Sequence, residues 1–228
     1  HYSFINYSSA LVADRVFFNS AFHKGAFLGE LKNFLKHFPD NNELSSIEQI
    51  EAKSAVLPLG LDLEKFMNHQ PPNCRGHVYM APTIGEQTLV LWNHRWEHDK
   101  NPEEFFKALF VLQEKGLDFQ VAILGENFSK QPRIFENARE KLGERVVHFG
   151  FCETFEEYTK WLWRADILPV TSIHDFFWAS VVEAIFCGCF PILPNRLAYP
   201  EHIRPYSGFR FYESFDEFVQ QLEAAVLF

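Results

Sequence analysis

Nowhere in this chain do about 18 apolar residues run together, so no segment reads as a bilayer-spanning helix, and no charged start followed by a short apolar core reads as a signal peptide. Positive charge is scarce: 21 Lys and Arg stand against 30 Asp and Glu, a net charge of −9. Nucleic-acid affinity comes mostly from Lys and Arg neutralising phosphates, so this part by itself is not expected to hold RNA tightly. Cysteine is sparse too, and Cys74, Cys152, Cys187 and Cys189 form no CxxC pair, which argues against a zinc finger and a disulfide framework and leaves buried free thiols. The chain opens on His1 rather than Met and stops inside a helical pattern at Leu227 and Phe228, so the expectation is a segment of a longer, soluble, cytoplasmic protein.

What is abundant is apolar and aromatic. Of 228 residues 47% are hydrophobic and 22% charged, enough to bury one large or two small cores. The pairs Phe17-Phe18, Phe105-Phe106 and Phe176-Phe177 read mostly as core, with a base-stacking platform as the other use of such rings.

Residues 1–67 read as a small α/β piece: a short helix from Ser8, a strand at Arg15 to Asn19, and a long helix to Phe38 carrying Phe22, Phe27, Leu31, Phe34 and Leu35 on one face. A further helix near Ile47 to Lys53 and a strand at Ala55 to Leu59 follow. Periodicity then lapses and Pro71, Pro72, Gly76, Pro82 and Gly85 accumulate, which predicts a linker over 68–87. From 88 to 228 strands alternate with helices: strands at 88–92, 119–124, 145–149, 166–170, 190–193 and 209–212, helices at 102–115, 131–141, 154–163, 179–187 and 214–226. This rhythm predicts a doubly wound parallel sheet, Rossmann-like, with its ligand outside the carboxyl ends of the strands.

The loops at those ends hold the unusual residues. After the first strand come His94, Arg95 and Lys100, with Asn101 read as the cap of a helix that has Pro102 at its first position. A fork-shaped and a point-like cation suit a diphosphate, or else both pair with Glu97, Asp99 and Glu103. His94 and His148 lie at strand ends facing the crevice, where they serve as donors to a nucleotide or sugar or simply pack. His174, Asp175, Phe176, Phe177 and Trp178 lead from a strand end into a helix whose first amides can hold an anion. Asp175 is either a cap or a ligand for a sugar hydroxyl. Glu183, flanked by Val181, Val182, Ala184, Ile185 and Phe186, is less comfortable as a purely solvated carboxylate. His23, His37, His69 and His77 share no spacing and read as surface groups, and Glu97-His98-Asp99 is only superficially a metal-binding DxD; no metal ligands are expected.

A carboxylate, seven residues, then Glu, Ala and a Gly five residues on resembles the motif of retaining GT-B glycosyltransferases; here it runs Asp175, Glu183, Ala184, Gly188. Arg95 and Lys100 fall where that superfamily places its diphosphate-binding cations, and Gly125-Glu126 and Gly150-Phe151 fall at its nucleotide-contacting turns. The stretches NHRWEHDKNPEEFF, VAILGENF, EAIFCGCFPILPNRLAYPE and HYSFINYSSALVADRVFFNS are similar to the tRNA-queuosine mannosyltransferase family across nearly the whole chain. The likeness implies a GT-B donor lobe preceded by the end of an acceptor lobe, and transfer of mannose from GDP-mannose to queuosine in tRNA, without a metal or other cofactor. It further implies that Arg95 and Lys100 neutralise the departing diphosphate. Asp175 and the amides of Phe176 to Trp178 would hold the hexose, and Glu183 the ribose. Two residues depart from the family pattern, Asp175 in place of Glu and Trp178 in place of Gly. The earlier segment carrying the family's acceptor-lobe His and its final helix are outside this sequence. Another sugar acceptor, or a binding module without turnover, are the other readings of the same motif.

Overall fold

The computed structural model describes residues 2–38, 40, 42–71, 87–126, 132–203, 209 and 211–228. Most of the expected linker therefore lies outside the described residues, as do Cys74 and His77. The first unit consists of α1 (Tyr2–Val12), β1 (Val16–Phe18), α2 (Ala21–Leu35), α3 (Ser45–Ala52) and β2 (Ser54–Val56). β1 and β2 pair in parallel, Phe17 opposite Ala55. Tyr7, Ala10, Leu31, Leu35 and Ile50 make its small core. α1 begins at Tyr2 rather than Ser8, because nothing between them breaks a helix and its buried face needs Tyr7, whose hydroxyl meets Ser46 Oγ at 2.9 Å. Ser20 caps α2, its Oγ accepting from the His23 amide at 3.0 Å, but Phe22 turns outward instead of joining the apolar face.

The second unit is a six-stranded sheet. Its elements are β3 (Thr88–Trp92), α5 (Pro102–Glu114), β4 (Phe119–Leu124), α6 (Ile134–Leu142), β5 (Val146–Gly150), α7 (Phe155–Arg164), β6 (Ile167–Pro169), α8 (Ala179–Phe186), β7 (Phe190–Pro194), α9 (Tyr199–Ile203), β8 (Phe211–Tyr212) and α10 (Phe215–Leu227). The strand order is β5-β4-β3-β6-β7-β8 and every pairing is parallel. Alternate residues of the central strands face opposite layers. Val90, Trp92, Val121 and Ile123 pack with α5, α6 and α10, whereas Leu89, Leu91, Ala122 and Leu124 pack with Leu162, Trp163, Val181 and Ala184 of α7 and α8. With both faces covered, a central strand must be apolar throughout, which is why TLVLW reads as an unbroken run. Phenylalanine supplies much of the first layer: Phe105, Phe106 and Phe135 surround Trp92, and Trp96 stacks on Phe135 at 4.4 Å.

Phe18, Phe105 and Phe106 are core as expected, but Phe17, Phe176 and Phe177 are not: they are 53%, 44% and 63% exposed. The short helix α4 (Glu64–Met67) also departs from expectation. Phe66, assigned by sequence to the first unit, is fully buried in the second, against Phe155, Tyr158 and Phe186, and its carbonyl accepts from Trp163 Nε1 at 3.1 Å. The crossing between the two sheets is thus made by residues 57–63, upstream of the region that composition marks as linker. Among the described residues no helix is long and apolar enough to cross a membrane.

Candidate functional site

Strand order places a topological switch between β3 and β6, whose following connections lead to opposite faces of the sheet and open a crevice at their carboxyl ends. The two loops bordering it, 93–101 and 170–178, are stitched together by backbone and side chain. The amides of Ile173 and His174 donate to the Asp99 carbonyl, and Thr171 Oγ1 donates to the carbonyls of Lys100 and Asn101. Asn101 takes a left-handed conformation with φ 52°, which Asn tolerates better than most residues. Its side chain does not cap α5 as expected; it donates to the Glu104 carboxylate.

At the centre of this contact Lys100, 8% exposed, extends Nζ to 3.4 Å from Asp175 Oδ2, 3.5 Å from Asp99 Oδ2 and 3.0 Å from the His174 carbonyl. Asp175 accepts from the Trp178 amide at 2.9 Å on one oxygen and from the Tyr199 hydroxyl at 3.0 Å on the other. It is therefore both a cap and a charge partner, and the Trp178 amide is already engaged. The position before α8 required by the cap also turns the Trp178 ring onto α9, against Tyr199 and His202. Burial, and after it the neighbouring negative charge at Asp175, raises the Tyr199 phenol well above its ordinary value.

Glu183, half-buried one layer away, accepts from the Tyr158 hydroxyl at 2.8 Å. Burial raises its carboxyl above the ordinary range, opposed by the Tyr158 bond. The apolar setting of this residue in the sequence is thus matched by partial desolvation, with a single defined donor.

His94 is buried, with Nδ1 3.3 Å from Ser180 Oγ and, among the described residues, no hydrogen-bond partner at Nε2. Its pKa falls to about 4, chiefly through burial, with Asp175 opposing and Lys100 adding to the depression. The ring is neutral at pH 7 and offers an uncharged donor or acceptor. In the unfolded chain a His binds its proton near pH 6.5, so the stability linked to His94 is complete above that value and is lost as pH falls toward about 4. The expected loss is about 3 kcal/mol across that window. Urea midpoints measured from pH 7 to 4 should fall less steeply in His94→Gln; an unchanged slope would assign the titration to other groups.

The remaining sequence-predicted residues distribute unevenly. Arg95 is on the surface, its guanidinium 3.1 Å from Glu97 Oε2, so the two cations read together from the sequence occupy different environments. Gly125 adopts φ +125°, and a Cβ there would lie 2.1 Å from the His94 carbonyl oxygen, so the turn after β4 presses directly on the loop after β3. The Glu126 carbonyl accepts from the Trp96 amide at 3.3 Å. Gly150 has φ +130° with open space around it, and Phe151 is 64% exposed. His148 packs on Trp161 with Nε2 3.1 Å from the Gly150 carbonyl, close to Cys152 and Glu157. His174 is exposed and contributes its carbonyl to Lys100.

Phe176, Phe177 and Trp178 meet the first unit. Asn19 Nδ2 donates to the Phe176 carbonyl, the His23 ring packs at 4.5 Å from the Phe176 ring, and Glu201 of α9 accepts from the backbone amides of Ala21 and Phe22 at 2.8 and 2.9 Å. His23, read as a surface residue, thus belongs to this joint, and its pKa is lowered by burial. Beside the joint lies a pocket of about 210 Å³ lined by Asn19, Leu59, Leu61, Phe177, Trp178 and His202 among others. Sequence reasoning missed Tyr158, Tyr199 and Arg196, the last holding the Ser172 and Thr171 carbonyls at 2.9 and 2.7 Å. None carries a local signal, since each meets its partner across 24 or 25 residues.

Residues 1–61 match the tRNA-queuosine alpha-mannosyltransferase N-terminal family, and residues 81–226 match the glycosyl transferases group 1 family. The tRNA-queuosine alpha-mannosyltransferase of Drosophila melanogaster is 42% identical over 202 residues, 88% of this chain and 52% of that protein, so the chain spans about half the length of this relative. Among solved structures, sucrose-phosphate synthase of Thermosynechococcus elongatus aligns with TM-score 0.66 at 16% identity over 99% of this chain and 52% of its own. OtsA gives TM-score 0.67 at 13% identity over 96% and 54%. Anabaena HepE, solved with UDP and glucose, gives 0.61 at 14% over 94% and 53%. At these identities the structural likeness bears on the fold, which is of the GT-B α/β type.

Proposed function

Because this chain belongs to the glycosyl transferases group 1 family, in its tRNA-queuosine alpha-mannosyltransferase branch, we propose that it forms the nucleotide-sugar-binding half of a retaining glycosyltransferase. In the full-length cytoplasmic enzyme the donor is GDP-mannose and the acceptor is queuosine in tRNA. The observation that carries the reading is the buried contact of Lys100 with Asp175 across the switch point, which sets a cation and a carboxylate where a parallel sheet receives its ligand.

In this reading Lys100 presents fixed positive charge to the leaving diphosphate, and Arg95 adds a second. An exposed Arg–carboxylate pair is worth little, so the Arg95 guanidinium can exchange Glu97 for a phosphate at small cost. Asp175 and the amides of Phe176 and Phe177 orient the hexose, His94 offers a neutral ring edge, and Glu183, held by Tyr158, receives the ribose hydroxyls. The turns at Gly125-Glu126 and Gly150-Phe151 border the nucleotide. Charge stabilisation of the leaving group is thereby supplied by side chains, and the reading requires no metal in the transfer step.

The test is calorimetric titration of the chain with GDP, GDP-mannose, UDP and UDP-glucose. GDP ligands are expected to bind, and Arg95→Ala to weaken them about tenfold, roughly 1.4 kcal/mol; in the full-length enzyme the same change should cost on the order of a hundredfold in rate. Preference for UDP would replace the donor assignment, and a folded chain that binds no nucleotide would favour the binding-module reading.

A further inference from the structure

The end of β5 and the start of α7 bring together three metal-binding side chains that the transfer chemistry does not use. His148 Nε2 lies 3.8 Å from Cys152 Sγ, and His148 Nδ1 lies 4.0 Å from Glu157 Oε1. One donor atom from each residue falls within 4.8 Å of the other two. Cys152 is buried, and His148 is fixed on its other face by Trp161 at 5.0 Å. Glu157 is held as well: its amide donates to the capping Thr154 hydroxyl, and its Oε2 accepts from the Glu153 amide at 3.1 Å, leaving Oε1 toward the imidazole. The fold has therefore already placed the imidazole and the thiol, and keeps the carboxylate one side-chain rotation away.

We propose that His148, Cys152 and Glu157 form a zinc site, with water or the Gly150 carbonyl completing the shell. One nitrogen, one sulfur and one carboxylate oxygen suit this borderline-soft ion. An ion about 2.0 Å from Nε2 and about 2.3 Å from Sγ would see the observed separation at roughly 120°, near tetrahedral. Glu157 needs only a side-chain rotation to close. In the free chain Nε2 is 3.1 Å from the Gly150 carbonyl. With the ion on Nε2 the ring proton resides on Nδ1, facing Glu157, and the thiol proton passes to solvent. The site would fasten the β5 end to α7, one residue before the Tyr158 that holds Glu183.

The test treats the chain with chelator, dialyses it against zinc chloride and counts bound zinc by atomic emission, with Cys152→Ser, His148→Ala and Glu157→Gln alongside and folding followed by circular dichroism. One zinc per chain is expected, lost at least tenfold in affinity in folded Cys152→Ser and His148→Ala and weakened in Glu157→Gln. Cobalt should give a thiolate charge-transfer band that Cys152→Ser abolishes. Absence of zinc binding by the unmodified chain, or binding that folded Cys152→Ser and His148→Ala retain, would overturn the assignment. Should either variant unfold, the cobalt band of a folded Cys74→Ser chain decides, because only thiolate ligation produces it and Cys187 and Cys189 lie outside this cluster.

Discussion

Lys100→Ala is expected to lower stability by about 3–5 kcal/mol, the range for removing one partner of a buried ion pair. The side chains of Lys100 and Asp175 are 10% and 7% exposed. Without the ammonium, Asp175 keeps a hydroxyl and an amide but no opposite charge, in a place where water cannot replace it. For a chain of this length each kcal/mol is worth about 2–4 °C, so thermal melting should fall by roughly 6–20 °C. If uncompensated charge is the cause, adding Asp175→Asn should restore part of the loss, because a neutral amide needs no cation. A double variant no more stable than Lys100→Ala would show that packing of the lysine stem, rather than charge, sets the cost. Nucleotide binding should stay low in both.

Gly125→Ala is expected to cost about 3 kcal/mol or more, combining a backbone conformation that disfavours any side chain with a direct collision. The added methyl would meet the His94 carbonyl at 2.1 Å, and backbone cannot swing aside as a side chain can. Either β4's turn or the 93–101 loop must move, so nucleotide affinity should drop along with stability. Gly150→Ala supplies the comparison, since its φ of +130° is nearly the same but nothing lies within 4 Å. The difference between the two denaturation midpoints isolates the close approach. Equal midpoints would mean that strain alone matters and the loops do not press on one another.

The fold was legible wherever burial wrote a periodic or continuous pattern. β3 and β4 have the bounds that their apolar runs suggest, α5 ends one residue early, and α7 and α10 are each shifted by one residue at both ends. α9 leaves no signal in the sequence, because five residues cannot display a helical period. Phe66 was placed in the wrong unit because an aromatic residue in a short segment does not declare which core it fills. In the site, position along the chain found the loops but not the pairings. Lys100 and Asp175 were each singled out, yet that they neutralise one another over 75 residues is a property of strand order, invisible until β3 and β6 are known to be neighbours. Likewise Asn101 stands at the N-cap of α5 with Pro102 at its start, as the sequence suggests, but its left-handed backbone, whose carbonyl accepts from Thr171, goes with a side chain that makes no capping bond.

The burial of Phe66 has a mechanical consequence. With α4 fastened to the second sheet and Leu57 bonded to Phe18 at the end of the first, the free tether between the two is residues 58–63. Six residues span at most about 20–22 Å. Were the bonds of Glu201 to α2 and of Asn19 to Phe176 to open, the units could separate no further than this tether allows. A guest admitted to the crevice would be re-enclosed at a rate set by rotation over a fixed short radius rather than by the free diffusion of two bodies.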